Sequence, residues 1–238
     1  MCRISALRTK LFADGADLRG MLEAARRPYV AGFTTNPTLM RKAGVHDYRA
    51  FARAVVGAIP DRPVSFEVFS DDFDGMARQA REIATWGENV YVKLPVTDTR
   101  GRPTSALIHL LAAEGVKLNV TAVMTPAQVR EVSAALGGET PSFLSIFAGR
   151  IADTGRDPIP VMVDALGVMA RFPSQQLIWA SPRELLNVFQ ADAIGCHVIT
   201  VPPDLIEKLS LVDRDLTDYS LDTVKMFHDD ARAAGFQL

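Results

Sequence analysis

The sequence contains little cysteine and little histidine, and it has no long apolar run. Only two of its 238 residues are cysteine and four are histidine. Cys2 and Cys196 offer no disulfide framework, and no pair of histidines has the spacing of a metal site. No run approaches the about 18 to 20 apolar residues that cross a bilayer, and residues 1–10 lack the apolar core of an export signal. We expect no metal, no membrane partner and a reducing, cytoplasmic environment.

Strong positive charge and the common cofactor loops are also missing. The formal net charge is -2, and no Lys/Arg cluster is longer than a pair such as Arg26-Arg27, so nucleic acid is not an expected partner. The sequence has no G-x-G-x-x-G loop for a dinucleotide and no G-x-S-x-G elbow of a serine hydrolase. We therefore expect neither a cofactor nor hydrolase chemistry. Hydrophobic residues, at 48%, are frequent enough to build a large core.

What the sequence does contain is a regular alternation of short apolar runs with longer amphipathic segments. Eight of these runs, rich in Val, Ile and Phe, have the composition of strands buried on both faces. They are Lys10 to Asp14, Val30 to Thr34, Val64 to Phe69, Asn89 to Leu94, Lys117 to Val123, Phe143 to Phe147, Gln176 to Ala180, and His197 to Val201. Eight such units predict a parallel (β/α)8 TIM barrel, formed as a single domain over residues 1–238 with an extra C-terminal helix at residues 220–235.

Local signals mark where several of the helices begin and end. Asn36-Pro37 places a capping side chain before proline, and the segments Thr125 to Gln128 and Ser181 to Glu184 each have the pattern of a capping box. Glycine is the residue most often found just after a helix. We expect helix ends near Gly87, Gly115 and Gly195.

Polar residues follow the predicted strands, at the barrel end where catalytic groups of this fold project. They are Asp14, Thr34 with Asn36, Glu67, Lys93, Asn119 with Thr121, Ser145 with Arg150, Ser181 with Arg183, and Thr200. Lys93 is the least expected of them, because a lysine inside an apolar strand must be desolvated. A desolvated amine is a nucleophile toward carbonyl groups. The alternative is a lysine that reaches solvent or pairs with Asp14 or Glu67.

The carboxyl groups of Asp14 and Glu67 could move the protons that Schiff-base chemistry on Lys93 requires. Asp14 could instead bind only a loop backbone, and Glu67 could be a counter-ion for Lys93. Asn36 and Ser181 could act simply as helix caps.

Arg150 and Arg183 follow adjacent strands, on the side where barrels often bind phosphate. A sugar phosphate is the expected ligand of two such arginines. The alternative is a surface salt bridge to Asp153 or Glu184.

Four ordered motifs resemble the transaldolase family, and particularly its short branch, which also includes the fructose-6-phosphate aldolases. The likeness runs from about Leu11 to Phe236. The motifs are Gly32 to Thr38 (GFTTNPT), Val92 to Thr97 (VKLPVT), Asn119 to Thr121 (NVT), and Ser145 to Ile151 (SIFAGRI).

The resemblance implies a role for each site residue. Lys93 would form an imine with a ketose phosphate, and Asp14 would take the proton of its C4 hydroxyl as the carbon–carbon bond breaks. Glu67 and Thr121 would hold a catalytic water. Hydroxyls of the dihydroxyacetone part would bind Asn36, Asn119 and Ser145, and the phosphate would bind Arg150, Ser181 and Arg183. Thr34 and Phe147 complete the expected substrate-binding set.

Within the family, Glu67 and Phe147 favour transaldolase, because the aldolases usually carry Gln and Tyr at these two places. Gly15, Ala148 and Pro182 depart from the usual residues. The loop from Asp98 to Pro103 is longer than usual, which would bring its arginines, Arg100 and Arg102, close to the donor site.

The resemblance also implies an oligomer, and it leaves alternatives for the activity. Short members commonly form ring-based homo-oligomers, such as a pentamer or decamer, in which the C-terminal helix crosses to a neighbour. The alternatives are an aldolase that uses free dihydroxyacetone, a catalytically silent sugar-phosphate-binding paralogue, and an unrelated phosphate-binding barrel such as an isomerase.

Overall fold

The computed structural model describes residues 3–237, and within them eight parallel strands close into a barrel. Each strand pairs with its neighbour in sequence, and β1 pairs with β8 to complete the circle. The strands are β1 (Lys10–Asp14), β2 (Val30–Thr34), β3 (Val64–Glu67), β4 (Val90–Pro95), β5 (Leu118–Val123), β6 (Ser142–Ile146), β7 (Gln175–Trp179) and β8 (Val198–Val201). The predicted TIM barrel is confirmed, with every predicted strand present.

Helices follow the strands and cover the outside of the barrel. They are α1 (Leu18–Ala25), α2 (Pro37–Lys42), α3 (Tyr48–Ala58), α4 (Phe73–Ala84), α5 (Ser105–Ala113), α6 (Pro126–Leu136), α7 (Ala148–Asp153), α8 (Ile159–Met169), α9 (Leu186–Ala193), α10 (Pro203–Glu207) and α11 (Leu216–Ala233), with 3-10 helices at Arg3–Ala6 and Lys208–Leu211. Over the described residues, none of these helices combines the length and the apolar character needed to span a membrane. Cys2 lies outside the described residues.

The strands divide the interior of the barrel into an apolar floor and a polar upper layer. Side chains two residues apart on a strand point to the same side. The floor is one cluster of buried groups from several strands, and it includes Phe12, Tyr91, Phe143, Ile178 and Val198. Two residues further along the same strands come the polar residues Asp14, Lys93, Ser145 and Thr200, whereas Ala180, just after β7, still belongs to the apolar cluster. The other face of each strand packs against the helices in the main core.

Most of the predicted helix boundaries are confirmed. The Asn36 side chain caps α2 by accepting from the Leu39 N–H, and Thr125 with Gln128 forms a complete capping box at α6. Gly115 and Gly195 adopt positive φ just after α5 and α9.

Two of the boundary predictions are wrong. Ser181 does not cap α9, because its own φ is +61° and the helix begins five residues later, at Leu186. The Asn187 side chain accepts from the Arg183 and Glu184 N–H groups instead. Gly87 does not end α4, which closes at Thr85.

The loop after β4 folds back on itself. Thr97 and Pro103 form an isolated antiparallel bridge. The buried Asp98 carboxylate accepts from the Arg102 guanidinium at 2.6 Å, and this guanidinium also lies 5.0 Å from the centre of the Phe73 ring. Arg102 is thus paired within its own loop, and neither Arg100 nor Arg102 belongs to the lining of the cavity at the carboxyl end of the barrel.

The extra C-terminal helix is present and starts earlier than the apolar pattern indicates. Asp215 caps α11 by accepting from the Thr217 and Asp218 N–H groups, so the helix spans Leu216–Ala233. None of its side chains is buried in the chain. Several large apolar side chains are at least 44% exposed on it, namely Leu216, Tyr219, Leu221, Val224, Met226 and Phe227.

Candidate active site

A cavity of about 420 Å³ opens at the carboxyl end of the barrel, above the apolar floor. Its lining includes ten of the residues predicted from the strand ends, together with the backbone around them. These ten are Asp14, Thr34, Asn36, Glu67, Lys93, Thr121, Ser145, Arg150, Ser181 and Thr200, and the ring of Phe147 also borders the cavity. Among residues 3–237 there is no group of three His, Cys, Asp or Glu side chains that could hold a metal ion.

Lys93 lies in the interior of the barrel with only 8% of its side chain exposed. Its Nζ donates to the Thr35 carbonyl oxygen at 2.9 Å and lies 3.0 Å from Glu67 Oε2. The lysine therefore does not reach out to solvent. The counter-ion arrangement, one of the alternatives from the sequence, is present, and it places a proton acceptor beside the amine.

Asp14 is fixed on the side of the cavity formed by β1 and β2. Its carboxylate accepts from Thr34 Oγ1 at 2.8 Å and from Asn36 Nδ2 at 3.3 Å. The Thr34 hydroxyl also contacts Thr200 Oγ1 at 2.5 Å. Burial raises the pKa of Asp14 above its ordinary value, against the opposing effects of the Lys93 charge and the Thr34 hydrogen bond. The Asn36 side chain makes two hydrogen bonds: its Oδ1 accepts from the Leu39 N–H and caps α2, and its Nδ2 donates to Asp14.

Thr121 lies on a distorted part of β5. The pairing of β5 with β6 shifts between Val120 and Val123, and Ala122 has a φ of +63°. This conformation is costly for a residue with a side chain, and such strain is often found at functional sites. The buried Thr121 Oγ1 has no hydrogen-bond partner among the described protein groups, and the residue lines the cavity.

Asn119 does not line the cavity, although it lies on the same strand as Thr121. Its side chain is fully buried, donates to Ser65 Oγ at 3.0 Å and accepts from Ser145 Oγ at 2.7 Å. Because Ser145 does line the cavity, Asn119 fixes the direction of the serine hydroxyl from below.

The cavity wall opposite Asp14 is built from the ends of β6 and β7. A Cβ atom on Gly149 would lie 1.5 Å from the Ser181 carbonyl oxygen, so only glycine allows this approach. Arg150 lines the cavity, with its guanidinium 5.9 Å from the centre of the Phe147 ring. Arg183 instead forms a two-pronged salt bridge with Asp153, with Nε 2.8 Å from Oδ1, outside the cavity lining. The surface salt bridge considered for this arginine is therefore present.

Three residues that hydrogen-bond to the predicted site residues were not identified from the sequence. The Thr35 carbonyl binds Lys93, Ser65 binds Asn119, and the Tyr48 hydroxyl binds the backbone of Glu67. Thr35 directly follows β2 and Ser65 lies in β3, both of which the sequence predicts. No sequence pattern indicates which residues they bind. Tyr48 opens a helix and carried no signal at all.

The chain matches known proteins over almost its whole length. The description of the matching family is "Transaldolase/Fructose-6-phosphate aldolase", and the match covers residues 11–238. A probable transaldolase from Thermoanaerobacter sp. is 34% identical over 96% of this chain and all of that protein. Probable transaldolases from Sorangium cellulosum, at 34% identity over 91% of this chain and 98% of that protein, and from Methanococcus maripaludis, at 33% over 90% and 94%, are similar.

Solved structures that resemble this chain share its fold at low identity. A putative dihydrodipicolinate synthase family protein from Coccidioides immitis has a TM-score of 0.62 at 9% identity, covering 98% of this chain and 80% of that one. Orotidine 5'-monophosphate decarboxylase from Metallosphaera sedula has a TM-score of 0.56 at 14% identity, covering 88% and 98%. These structures support the barrel alone. The sequence match carries the assignment: the chain belongs to the transaldolase/fructose-6-phosphate aldolase family.

Proposed function

We propose that this chain is a Schiff-base transaldolase. It transfers a dihydroxyacetone unit from a ketose phosphate, of the fructose 6-phosphate or sedoheptulose 7-phosphate type, to an aldose phosphate. The observation that carries the proposal is the buried Lys93 amine, 3.0 Å from the Glu67 carboxylate in an open cavity that also contains Asp14. Family membership supports a transaldolase-type enzyme.

The first step joins the substrate to Lys93. Glu67 takes a proton from the amine, and the amine attacks the ketone carbon to give a carbinolamine. Loss of water then leaves a protonated imine, which is the electron sink for the next step. A water molecule bound between Glu67 and the Thr121 hydroxyl would move these protons. The unpartnered Thr121 Oγ1 supports such a site.

The second step breaks the bond between C3 and C4 of the bound sugar. Asp14 removes the proton of the C4 hydroxyl, the C3–C4 electron pair moves into the imine, and an aldose phosphate leaves. The enamine of dihydroxyacetone stays on Lys93. It attacks the carbonyl carbon of a new aldose phosphate, Asp14 returns its proton, and water releases the product.

Polar groups around the lysine match the remaining parts of such a substrate. Asn36 and Ser145 line the cavity and would bind hydroxyls of the three-carbon unit, while Asn119 would hold Ser145 in place. Arg150 and Ser181 are the better-placed phosphate ligands. Arg183 would reach the phosphate only after giving up Asp153.

Transfer rather than release of dihydroxyacetone is the favoured outcome. The resemblance associates Glu67 and Phe147 with transaldolases, and Phe147 presents no hydroxyl beside the cavity. An aldolase would protonate the enamine and release free dihydroxyacetone. A silent paralogue is disfavoured because Lys93, Asp14 and Glu67 are all retained in one cavity.

The apolar surface of α11 supports a homo-oligomer. We expect α11 to pack on a neighbouring copy, in a ring-based assembly such as a pentamer or decamer, since its large apolar groups are at least 44% exposed. Replacement of Val224 and Phe227 by Glu should shift the mass measured by light scattering from oligomer toward monomer. A monomeric unsubstituted protein would contradict the expectation.

Substitution of Lys93 by Met or Arg should abolish transfer. Neither side chain provides an amine nucleophile, although Arg keeps the charge beside Glu67, so activity should fall by at least about a thousandfold. The assay is glyceraldehyde 3-phosphate formation from fructose 6-phosphate with erythrose 4-phosphate as acceptor. Lys10→Met is the matched control and should retain full activity, because Lys10 begins β1 and lies at the end of the strand opposite Asp14, outside the cavity lining.

Substantial transfer by either Lys93 variant, with circular dichroism showing a folded protein, would defeat the mechanism.

The same assay without acceptor separates the two activities of the family. A transaldolase releases no free dihydroxyacetone, whereas accumulation of free dihydroxyacetone would establish the aldolase alternative.

The pH dependence of kcat/KM should carry an acidic limb set by Asp14. Asp14 must be ionised to act as the base, and burial raises its pKa above the ordinary value of 3.8. Activity should therefore fall as the pH is lowered through this raised pKa. Thr34→Val removes a hydrogen bond that favours the ionised form, so the limb should move to higher pH. An unmoved limb in this variant would argue against Asp14 as the base.

A further inference from the structure

The backbone of Glu67 lies where the pairing of β3 with β2 comes to an end. On its other side, β3 continues to pair with β4 up to Glu67 and Lys93. Toward β2, the last ladder bond runs from the Thr35 N–H to the Ser65 carbonyl oxygen at 3.2 Å. The parallel pattern would next join the Glu67 N–H to the Thr35 carbonyl, and then the N–H of residue 37 to the Glu67 carbonyl.

The local sequence prevents this continuation. Residue 37 is proline and has no N–H, and the chain turns at Asn36 into α2. The Thr35 carbonyl accepts from Lys93 Nζ, and the Glu67 N–H does not bond to it. The N–H and carbonyl of Glu67 therefore need another partner, because buried backbone groups left unpaired are costly.

Tyr48 supplies both of the missing hydrogen bonds. Its hydroxyl accepts from the Glu67 N–H at 2.8 Å and donates to the Glu67 carbonyl oxygen at 2.8 Å. Burial raises the pKa of Tyr48, so the hydroxyl keeps the proton that it donates. Edge-to-face contacts with Phe66, Phe69 and Trp86 hold the ring in this position.

We propose that Tyr48 is a positioning residue for the Schiff-base reaction. Its hydroxyl bonds the Glu67 N–H and carbonyl in place of the missing strand at the end of β3, which fixes the Glu67 carboxylate beside the amine. The inference rests on the function proposed above. It extends that function to a residue that touches neither the cavity nor the substrate.

The test compares Tyr48→Phe with Tyr29→Phe and the unsubstituted protein. Tyr29 is a matched control, because its hydroxyl also accepts a hydrogen bond, from Arg27, but at the opposite end of the barrel. Each protein is mixed with fructose 6-phosphate, quenched with borohydride at a series of times, and weighed by intact mass spectrometry. The measured quantities are the rate constant for appearance of the reduced adduct and its final amount.

Loss of the Tyr48 hydroxyl should slow adduct formation about 10-fold to 100-fold, as small displacements of catalytic groups do, with kcat reduced more than KM is raised. The final amount of adduct should stay near that of the unsubstituted protein. Because the rate is read per adduct-forming chain, partial misfolding does not imitate this result. Tyr29→Phe should react at the unsubstituted rate.

A second comparison separates action through Glu67 from a general structural effect. If Tyr48 acts through Glu67, then Tyr48→Phe combined with Glu67→Gln should be no slower than Glu67→Gln alone. Additive losses, an unchanged Tyr48→Phe rate, or a Tyr48→Phe chain that does not fold would each overturn the inference and leave the proposed function standing. Absence of any adduct in the unsubstituted protein would overturn the proposed function itself.

Discussion

The site depends on one interaction, the burial of the Lys93 amine between the Glu67 carboxylate and the Thr35 carbonyl oxygen. A lone ammonium in a barrel interior is costly, and removal of one partner from a buried ion pair commonly costs about 3 to 5 kcal/mol. The carboxylate and the carbonyl offset that cost. They also keep the amine beside a group that can accept its proton, so the features that make the lysine tolerable also prepare it for chemistry.

The other side chains inside the barrel form layers below and around that pair, because residues two apart on a strand point to the same side. Aromatic and aliphatic groups, among them Phe12 and Phe143 in an edge-to-face contact, close the interior below the lysine. One layer higher, most strands contribute a polar group, and a neighbouring strand can supply the hydrogen bond that fixes it, as Thr34 does for Asp14. The carboxylates of Glu67, beside Lys93, and of Asp14 thus have different surroundings. In the proposed mechanism they move different protons: Glu67 takes that of the amine, and Asp14 takes that of the C4 hydroxyl.

Much of this architecture could be predicted from the sequence. Apolar runs mark buried parallel strands, and a lysine inside one of them marks the cavity at the carboxyl end of the barrel, because both signals are local. The end of β3 was placed two residues too far, at Phe69. The strand stops at Glu67, beyond which its neighbour β2 has already turned into a helix at Pro37.

What could not be predicted depends on contacts between distant segments. Ser181 has the sequence of a helix cap, but its backbone has a positive φ and its carbonyl oxygen packs closely on Gly149 of α7. Arg183 follows a strand end, yet Asp153 on α7 draws it out of the cavity lining. Asn119 supports Ser145 from below rather than facing substrate. For Arg183 the sequence left the Asp153 salt bridge open as an alternative, whereas no residues nearby in sequence indicate the contact of Ser181 with Gly149 or that of Asn119 with Ser145.

The most direct test of the account is to identify the atom that holds the substrate. The protein is incubated with fructose 6-phosphate and borohydride, weighed intact, and digested to locate the modification. The account predicts one reduced dihydroxyacetone adduct per chain, on Lys93 and on no other lysine. An adduct on a different lysine, or no adduct with either fructose 6-phosphate or sedoheptulose 7-phosphate, would contradict it.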